Sequence, residues 1–378
     1  MARRSEPQRL LGDLVAIPSV NPHVTPGGGE QAVAAHLAEY LRLSGLAPEV
    51  VECAPGRPSV RVTVRADEPR GHLLLCSHLD TVGVESMTIP PFEPRVEGGR
   101  LFGRGACDAK GPLVAMTVGL LRGRERGLVW DVTLWAVAGE EVGGEGVLRL
   151  LEDDDRFDGA IVGEPTEGHL VVAHKGAVRG EILLSGDSAH SSRPLPDVGA
   201  LAAACRITLA LHGRAPGAQV HPLCGASTLA ITAIHAGEAA NVIPGAARVR
   251  FDYRTVPPQG PSAVWEAVNA EVARLLSGTG IRSESVTLRE NDWLDTEPDA
   301  PVARALEERG EDPTPGGAVY GSDAERIAGR GIPAVLLGPG SIDDAHTAAE
   351  SIDLDELERI TEVFAWLLTD GKTVARSP

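Results

Sequence analysis

Four short apolar runs restrict this chain more than any other feature: Leu73–Cys76, Val132–Ala138, Ala160–Val162 and Ala334–Leu337. A strand that alternates apolar and polar residues can leave one face wet, whereas a strand apolar throughout must be covered on both faces. Such runs predict an α/β fold built on a mainly parallel sheet covered by helices. Lys110–Leu121 supplies one covering helix through Leu113, Met116, Thr117 and Leu120. Glu30–Ser44 supplies another, with Val33, Leu37, Tyr40 and Leu41 at helical spacing and Gly45 as its stop. Ser59–Arg65 alternates Val60, Val62 and Val64 with polar partners, as a strand with one wet face does.

From about Lys175 the rhythm changes. Val178–Leu184 reads as a strand, Ala200–Leu211 as a helix, and Thr228–Ile234 and Ala247–Tyr253 as two strands. Pro261–Leu276 reads as a helix and Ile281–Leu288 as a last strand. The order βαββαβ is that of the ferredoxin-like module, here lying between two pieces of the α/β sheet. The expected organisation is a catalytic domain from residues 1–174 and 291–378, interrupted by an inserted domain at 175–290. Gly213–Ala226, rich in Gly and Pro, reads as a long exposed loop.

At 378 residues the chain is long enough for two such domains. The formal net charge of −18 argues against a nucleic-acid partner and against anionic membranes, since both need a basic surface. Five scattered cysteines without a Cys-x-x-Cys pair argue against a disulfide framework or a zinc ribbon. The basic start leads into Glu6-Pro7-Gln8-Arg9 and no apolar stretch follows, so no signal peptide is expected. No segment has the length of a membrane span, and the expected location is cytoplasmic.

The buried runs deliver acids or imidazoles just past their ends. His78 and Asp80 follow the first, Glu140 and Glu141 the second, Glu164 the third, and His346 lies in the loop after the fourth. Asp108 precedes the Lys110 helix. Ligands of open α/β sheets bind beyond the carboxyl ends of the strands, so these residues should share one rim. A lone His-x-Asp or Glu-Glu pair is usually a surface feature; the convergence carries the reading.

The set has the composition of a two-metal site, in which one carboxylate bridges the ions. Asp108 is the expected bridge, because its glycine-rich flanks let the backbone come close. His78 and Glu164 would complete one shell, Glu141 and His346 the other. Imidazole mixed with carboxylate favours two Zn²⁺ per subunit, with Co²⁺ or Mn²⁺ as substitutes. Asp80, two residues from His78, is cast as the carboxylate that fixes the imidazole tautomer. Glu140 is then the free acid, able to take a proton from metal-bound water and hand it to a departing amine.

Longer motifs run in order along the chain: Ser77-His78-Leu79-Asp80-Thr81-Val82, Gly103-Arg104-Gly105-Ala106-Cys107-Asp108-Ala109-Lys110-Gly111, Glu140-Glu141-Val142-Gly143 and Gly163-Glu164-Pro165-Thr166. His174-Lys175-Gly176, Ser188-Ala189-His190-Ser191-Ser192, Asn241-Val242-Ile243-Pro244 and Gly338-Pro339-Gly340 follow. In these the chain resembles the metal-dependent amidohydrolases that include acetylornithine deacetylase, succinyl-diaminopimelate desuccinylase, aminoacylase and glutamate carboxypeptidase. The resemblance covers nearly the whole chain and implies the ligand roles above, with Glu140 as base. It further implies a homodimer formed through the inserted domain, with His190 reaching the other subunit's active site to stabilise the oxyanion.

Arg254 and Asn241 stand where the family binds a substrate carboxylate, a task that suits a guanidinium fork, and Ser322 adds a polar contact. Two departures stand out: Gly139 where Asp is usual, and Ala109 where Met is usual. The expected reaction is hydrolysis of an N-acyl amino acid of the acetylornithine deacetylase type. A dipeptidase, a carboxypeptidase or a succinyl-diaminopimelate desuccinylase shares every metal ligand and is the nearest alternative. A ligand-binding relative without catalysis is more remote, since Glu140 and every ligand are present.

Overall fold

A computed structural model describes residues 5–153, 156–193, 199–297 and 314–369. The chain divides into two compact units. One comprises the chain up to Val172, Thr296–Gly316 and the chain from Ser322 onward; the other comprises Ala173–Asp295 and Gly317–Gly321.

In the first unit the strands His72–His78, Asp131–Val137, Gly159–Val162 and Ala334–Leu336 run parallel. Across the sheet the order is Glu49–Ala54, Arg57–Val64, Asp131–Val137, His72–His78, Gly159–Val162, Ala334–Leu336. The first two of these are antiparallel additions at one edge, and Val171 pairs antiparallel with Leu336 on the other side. Successive side chains of a strand point to opposite faces. Leu73 and Leu75 accordingly enter the main core, while Leu74 and Cys76 turn the other way and are buried there as well. Arg57–Val64 keeps Val60, Val62 and Val64 inward and exposes Thr63.

Gln31–Leu43 ends where Gly45 takes a φ of +78° and the N–H groups of Gly45 and Leu46 return to the carbonyls of Arg42 and Leu41. The helix Lys110–Arg126 is buried along almost its whole length, and Leu354–Leu367 packs on it. Gly119 permits their close approach: a Cβ there would lie 2.6 Å from Phe364 Cβ and 3.0 Å from the Thr361 carbonyl oxygen. Gly119→Ala is therefore expected to cost about 1–3 kcal/mol by overpacking, despite alanine's better helix propensity. A lowered midpoint in urea denaturation would register this loss.

The second unit contains Gly176–Ser185, Ala200–Leu211, Thr228–Ala236, Ala246–Thr255, Pro261–Leu276 and Arg282–Asn291, in the order βαββαβ. Its four strands form an antiparallel sheet ordered second, third, first, fourth, which is the ferredoxin-like arrangement. Ile207, Leu211, Val264 and Val268 of the helices close over Val178, Ile182, Val249 and Phe251 of the sheet. Gly213–Ala226 is less irregular than its composition predicts, because Val220–His221 and Gly225–Ala226 pair as a short ladder. No helix among the described residues is long and apolar enough to cross a membrane.

Candidate metal centre

The parallel strands bring their terminal acids to one place. His78 closes the strand His72–His78, Glu164 follows Gly159–Val162 after Gly163, and Glu140 and Glu141 follow Asp131–Val137. Asp108 occupies the turn before Lys110–Arg126. Gly105 makes this turn possible, since its φ is +79° and a Cβ would fall 2.7 Å from Thr81 Cγ2. His346 comes from the loop after Ala334–Leu336 and holds a left-handed φ of +59°, unusual for a residue with a side chain.

Asp108 stands between the two histidines. Its Oδ1 lies 3.0 Å from His78 Nε2 and its Oδ2 lies 3.1 Å from His346 Nε2. His346 Nε2 is also 2.9 Å from Glu141 Oε1. The ligand atoms of His78, Asp108 and Glu164 all lie within 4.8 Å of one another, as do those of Asp108, Glu141 and His346. The five residues thus gather as two triads joined at Asp108.

The charges within this cluster do not balance. Burial pushes Glu164 well above the ordinary carboxylate range, with Asp108 and Glu140 adding to the shift. Burial raises Glu140 likewise, against the opposing charge of His78. Glu141 is raised by burial despite its hydrogen bond from His346. Burial works against a charged His78, yet the hydrogen bond to Asp108 and the nearby carboxylates hold its pKa well above that of a free imidazole. Hydrogen bonds to Asp108 and Glu141 lift His346 to about 10. Burial opposes the charge on Asp108, but the bonds from His346 and His78 draw its pKa down. Among the described residues neither Glu140 nor Glu164 has a salt-bridge partner. Two divalent cations would supply the missing positive charge, and two imidazoles with three carboxylates are donors that Zn²⁺, Co²⁺ and Mn²⁺ accept. His78 Nδ1 lies 2.9 Å from the Asp80 carbonyl oxygen and donates to it, which leaves Nε2 as the ligating atom. The residues present fit two ions.

Asp80 fixes the His78 tautomer through its backbone carbonyl, not through its carboxylate as expected. Its Oδ1 is 3.7 Å from His78 Nδ1, and its backbone carbonyl, not its side chain, takes that proton. The carboxylate is already engaged. Oδ1 accepts from the Gly139 and Glu140 N–H groups at 2.9 and 3.1 Å, and Oδ2 from the Glu141 N–H at 3.2 Å and Asn21 Nδ2 at 2.8 Å. Asp80 therefore fixes the loop that carries Glu140 and Glu141. Asp80→Ala is expected to lower kcat about ten- to hundredfold with little change in KM, as loss of a partner behind metal ligands does. Steady-state kinetics of the metal-loaded variant checks it.

His190, Asn241 and Arg254 belong to the second unit. Ala189–His190 pairs with Val242–Ile243, and the Asn241 carbonyl accepts from the Ser191 N–H at 3.0 Å, so His190 and Asn241 are neighbours. His190 Nδ1 accepts from the Ser192 N–H at 3.2 Å, which puts the ring proton on Nε2. Arg254 Nε lies 2.9 Å from Asp252 Oδ1, and Asp252 also holds Arg179. Ser322 is buried in the first unit, and its hydroxyl accepts from the Ala324 N–H at 3.2 Å. Behind the Asp108 backbone is a buried pair that no expectation included, with Arg104 Nη1 2.6 Å from Glu350 Oε2.

Paired imidazole–carboxylate triads at the carboxyl ends of a parallel sheet form an arrangement that could hold metal ions. The sequence matches peptidase family M20/M25/M40 over residues 74–370, and the chain belongs to that family. It is 31% identical to an acetylornithine deacetylase of Myxococcus xanthus over 305 residues, which is 78% of this chain and 79% of the relative. It is also 31% identical to a probable carboxypeptidase of Aspergillus clavatus, over 92% of this chain and 78% of the relative. Among solved structures a tripeptidase of Staphylococcus aureus shares the fold, with a TM-score of 0.82 at 20% identity and 97% of each chain covered.

Proposed function

We propose that this enzyme hydrolyses the amide of an N-acyl amino acid in the manner of an acetylornithine deacetylase, releasing a free amine and a carboxylate. The observation that carries the reading is Glu140 standing free beside two joined triads. The identity with the Myxococcus relative supports the choice of substrate class. Two ions, Zn²⁺ or in its place Co²⁺ or Mn²⁺, held by His78, Asp108 and Glu164 and by Asp108, Glu141 and His346, would polarise the carbonyl and acidify water.

The chain's own residues do the rest. Glu140 takes a proton from the attacking water and returns it to the leaving nitrogen. Burial raises its proton affinity and so suits it to both tasks. Asp80 keeps it in place. His190, with its proton on Nε2, donates to the developing oxyanion. Arg254 and Asn241 hold the substrate carboxylate, with Ser322 as a further polar contact. In this reading residues 1–174 and 291–378 form the catalytic domain. The 175–290 domain pairs two chains into a homodimer that works in the cytoplasm.

A carboxypeptidase or dipeptidase uses the same ligands, and the Aspergillus relative favours that second reading. Amine release by the zinc- or cobalt-loaded protein on N-acetyl and N-succinyl amino acids and on dipeptides separates them. Fastest turnover of an acyl amino acid supports the proposal, and fastest turnover of a dipeptide replaces it with the peptidase reading. No turnover of any member, with both ions bound, would overturn both.

A further inference from the structure

We propose that Glu350, locked to Arg104, is the positioning residue that fixes the Asp108 carboxylate between the two histidines and thereby sets the affinity of the centre for its ions; this rests on the two-ion reading above.

The Glu350 side chain is fully buried. Its Oε1 accepts from the backbone N–H groups of both Cys107 and Asp108, at 2.9 and 3.0 Å. Its Oε2 lies 2.6 Å from Arg104 Nη1. Its own carbonyl accepts from the Gly103 N–H at 3.0 Å. One residue thus holds the turn at Gly103, Arg104, Cys107 and Asp108. The Arg104 guanidinium is equally buried, and among the described residues Glu350 is its one ion-pair partner. A buried ion pair is seldom more stable than apolar side chains of the same volume. Stability alone therefore gives no reason to keep this one. What apolar side chains cannot do is accept two successive N–H groups and so fix the backbone from which the bridging carboxylate projects.

The orientation matters because each Asp108 oxygen faces a different histidine, at 3.0 and 3.1 Å. A tilt of the turn would favour one triad at the expense of the other. Glu350 also belongs to the segment that brings His346. Just beyond it Ser351–Asp353 pairs with Arg100–Phe102, and Cys107 Sγ donates to the Ser341 carbonyl at 3.2 Å. The stretch that carries the bridge and the stretch that carries the last ligand are therefore laced together, with Glu350 as the side chain that reaches the bridge.

The test uses the full chain, stripped of metal and then titrated with zinc in a calorimeter, with the cobalt absorption spectrum and steady-state kinetics alongside. Glu350→Asp keeps a charge for Arg104 but withdraws the acceptor by one methylene. Glu350→Gln keeps an acceptor but faces Arg104 with an amide. Both are expected to bind zinc about 10–100-fold more weakly, to change the cobalt spectrum, and to lower kcat with KM little changed. Gly119→Ala, destabilised away from the site, should bind zinc as the wild type does. Folded Glu350 variants with wild-type zinc affinity and cobalt spectrum would overturn the proposal, as would an equal loss of affinity in Gly119→Ala. If Glu350→Gln fails to fold, Glu350→Asp decides alone. A wild-type chain that binds no zinc refutes the two-ion reading itself, which separates the two failures.

Discussion

Glu140→Gln should lower kcat about 10²–10⁴-fold, the range that a positioned general acid–base supplies. The substitution is nearly isosteric and removes only the ability to take up and release a proton. The Glu140 N–H that bonds Asp80 is untouched, so the loop keeps its shape. Neither triad includes Glu140, so both ions should still bind. Burial makes the carboxylate costly in the folded protein, and a neutral amide should leave stability level or slightly raised. Steady-state kinetics with metal analysis of the same sample separates these effects. A loss of activity with both ions retained supports the role, whereas kcat within tenfold of wild type would remove Glu140 from it.

Stripping the ions should give the second large effect, on stability. A cation present at a hundred times its dissociation constant adds about 2.7 kcal/mol to a fold that binds it only when folded. Calorimetric melting with and without chelator measures the difference, and Asp108→Ala, which breaks both triads, should melt alike in the two conditions. The pH dependence has a definite sign. In the metal-free protein Glu140 and Glu164 titrate above the 4.5 of an ordinary glutamate. Groups raised in this way stabilise the fold below the unfolded value, and that contribution is lost as pH climbs through the raised folded value. The raised histidines act in the same direction. The metal-free protein should therefore lose melting temperature as pH rises from the glutamate range past neutrality. Metal binding needs deprotonated ligands and strengthens over the same interval, so the gap between loaded and stripped curves should widen with pH. A constant gap would contradict the assignment of Glu164, His78 and His346 as ligands.

The α/β sheet is legible because strands buried on both faces leave a composition that few other elements share, and the ferredoxin-like unit because its elements follow one another as βαββαβ. Leu73–Cys76 and Ala334–Leu337 could hardly be placed elsewhere, and Ala200–Leu211 and Pro261–Leu276 are bounded in the structure as their periodicity predicts. Among the described residues four helices are absent from the expectations: Glu6–Val15, Glu145–Leu150, Ala324–Ala328 and Leu354–Leu367. The first and last of these carry signals: Pro7 in a first turn, and Asp353 capping the N–H groups of Asp355 and Glu356. Side-chain direction is what the sequence conceals. Asp80 is two residues from His78, yet its carboxylate is claimed by N–H groups some sixty positions away, which only the folded sheet brings near. Asn21 and Glu350 are single polar residues in no motif, and their partners lie 59 and 242 positions off. Nothing local could have marked them.

The strand Ala334–Leu336 has a consequence for how the enzyme comes into being. It lies inside the sheet, beside Gly159–Val162, and 205 positions separate Glu141 from the histidine that shares its triad. At a synthesis rate of about 5–20 residues per second, roughly ten to forty seconds pass between the making of the two. Throughout that interval the nascent chain has a half-built sheet and an incomplete ligand set. The two triads can be completed only after the segment carrying His346 has been made and Ala334–Leu336 has joined the sheet, so the site is assembled late in the life of the nascent chain.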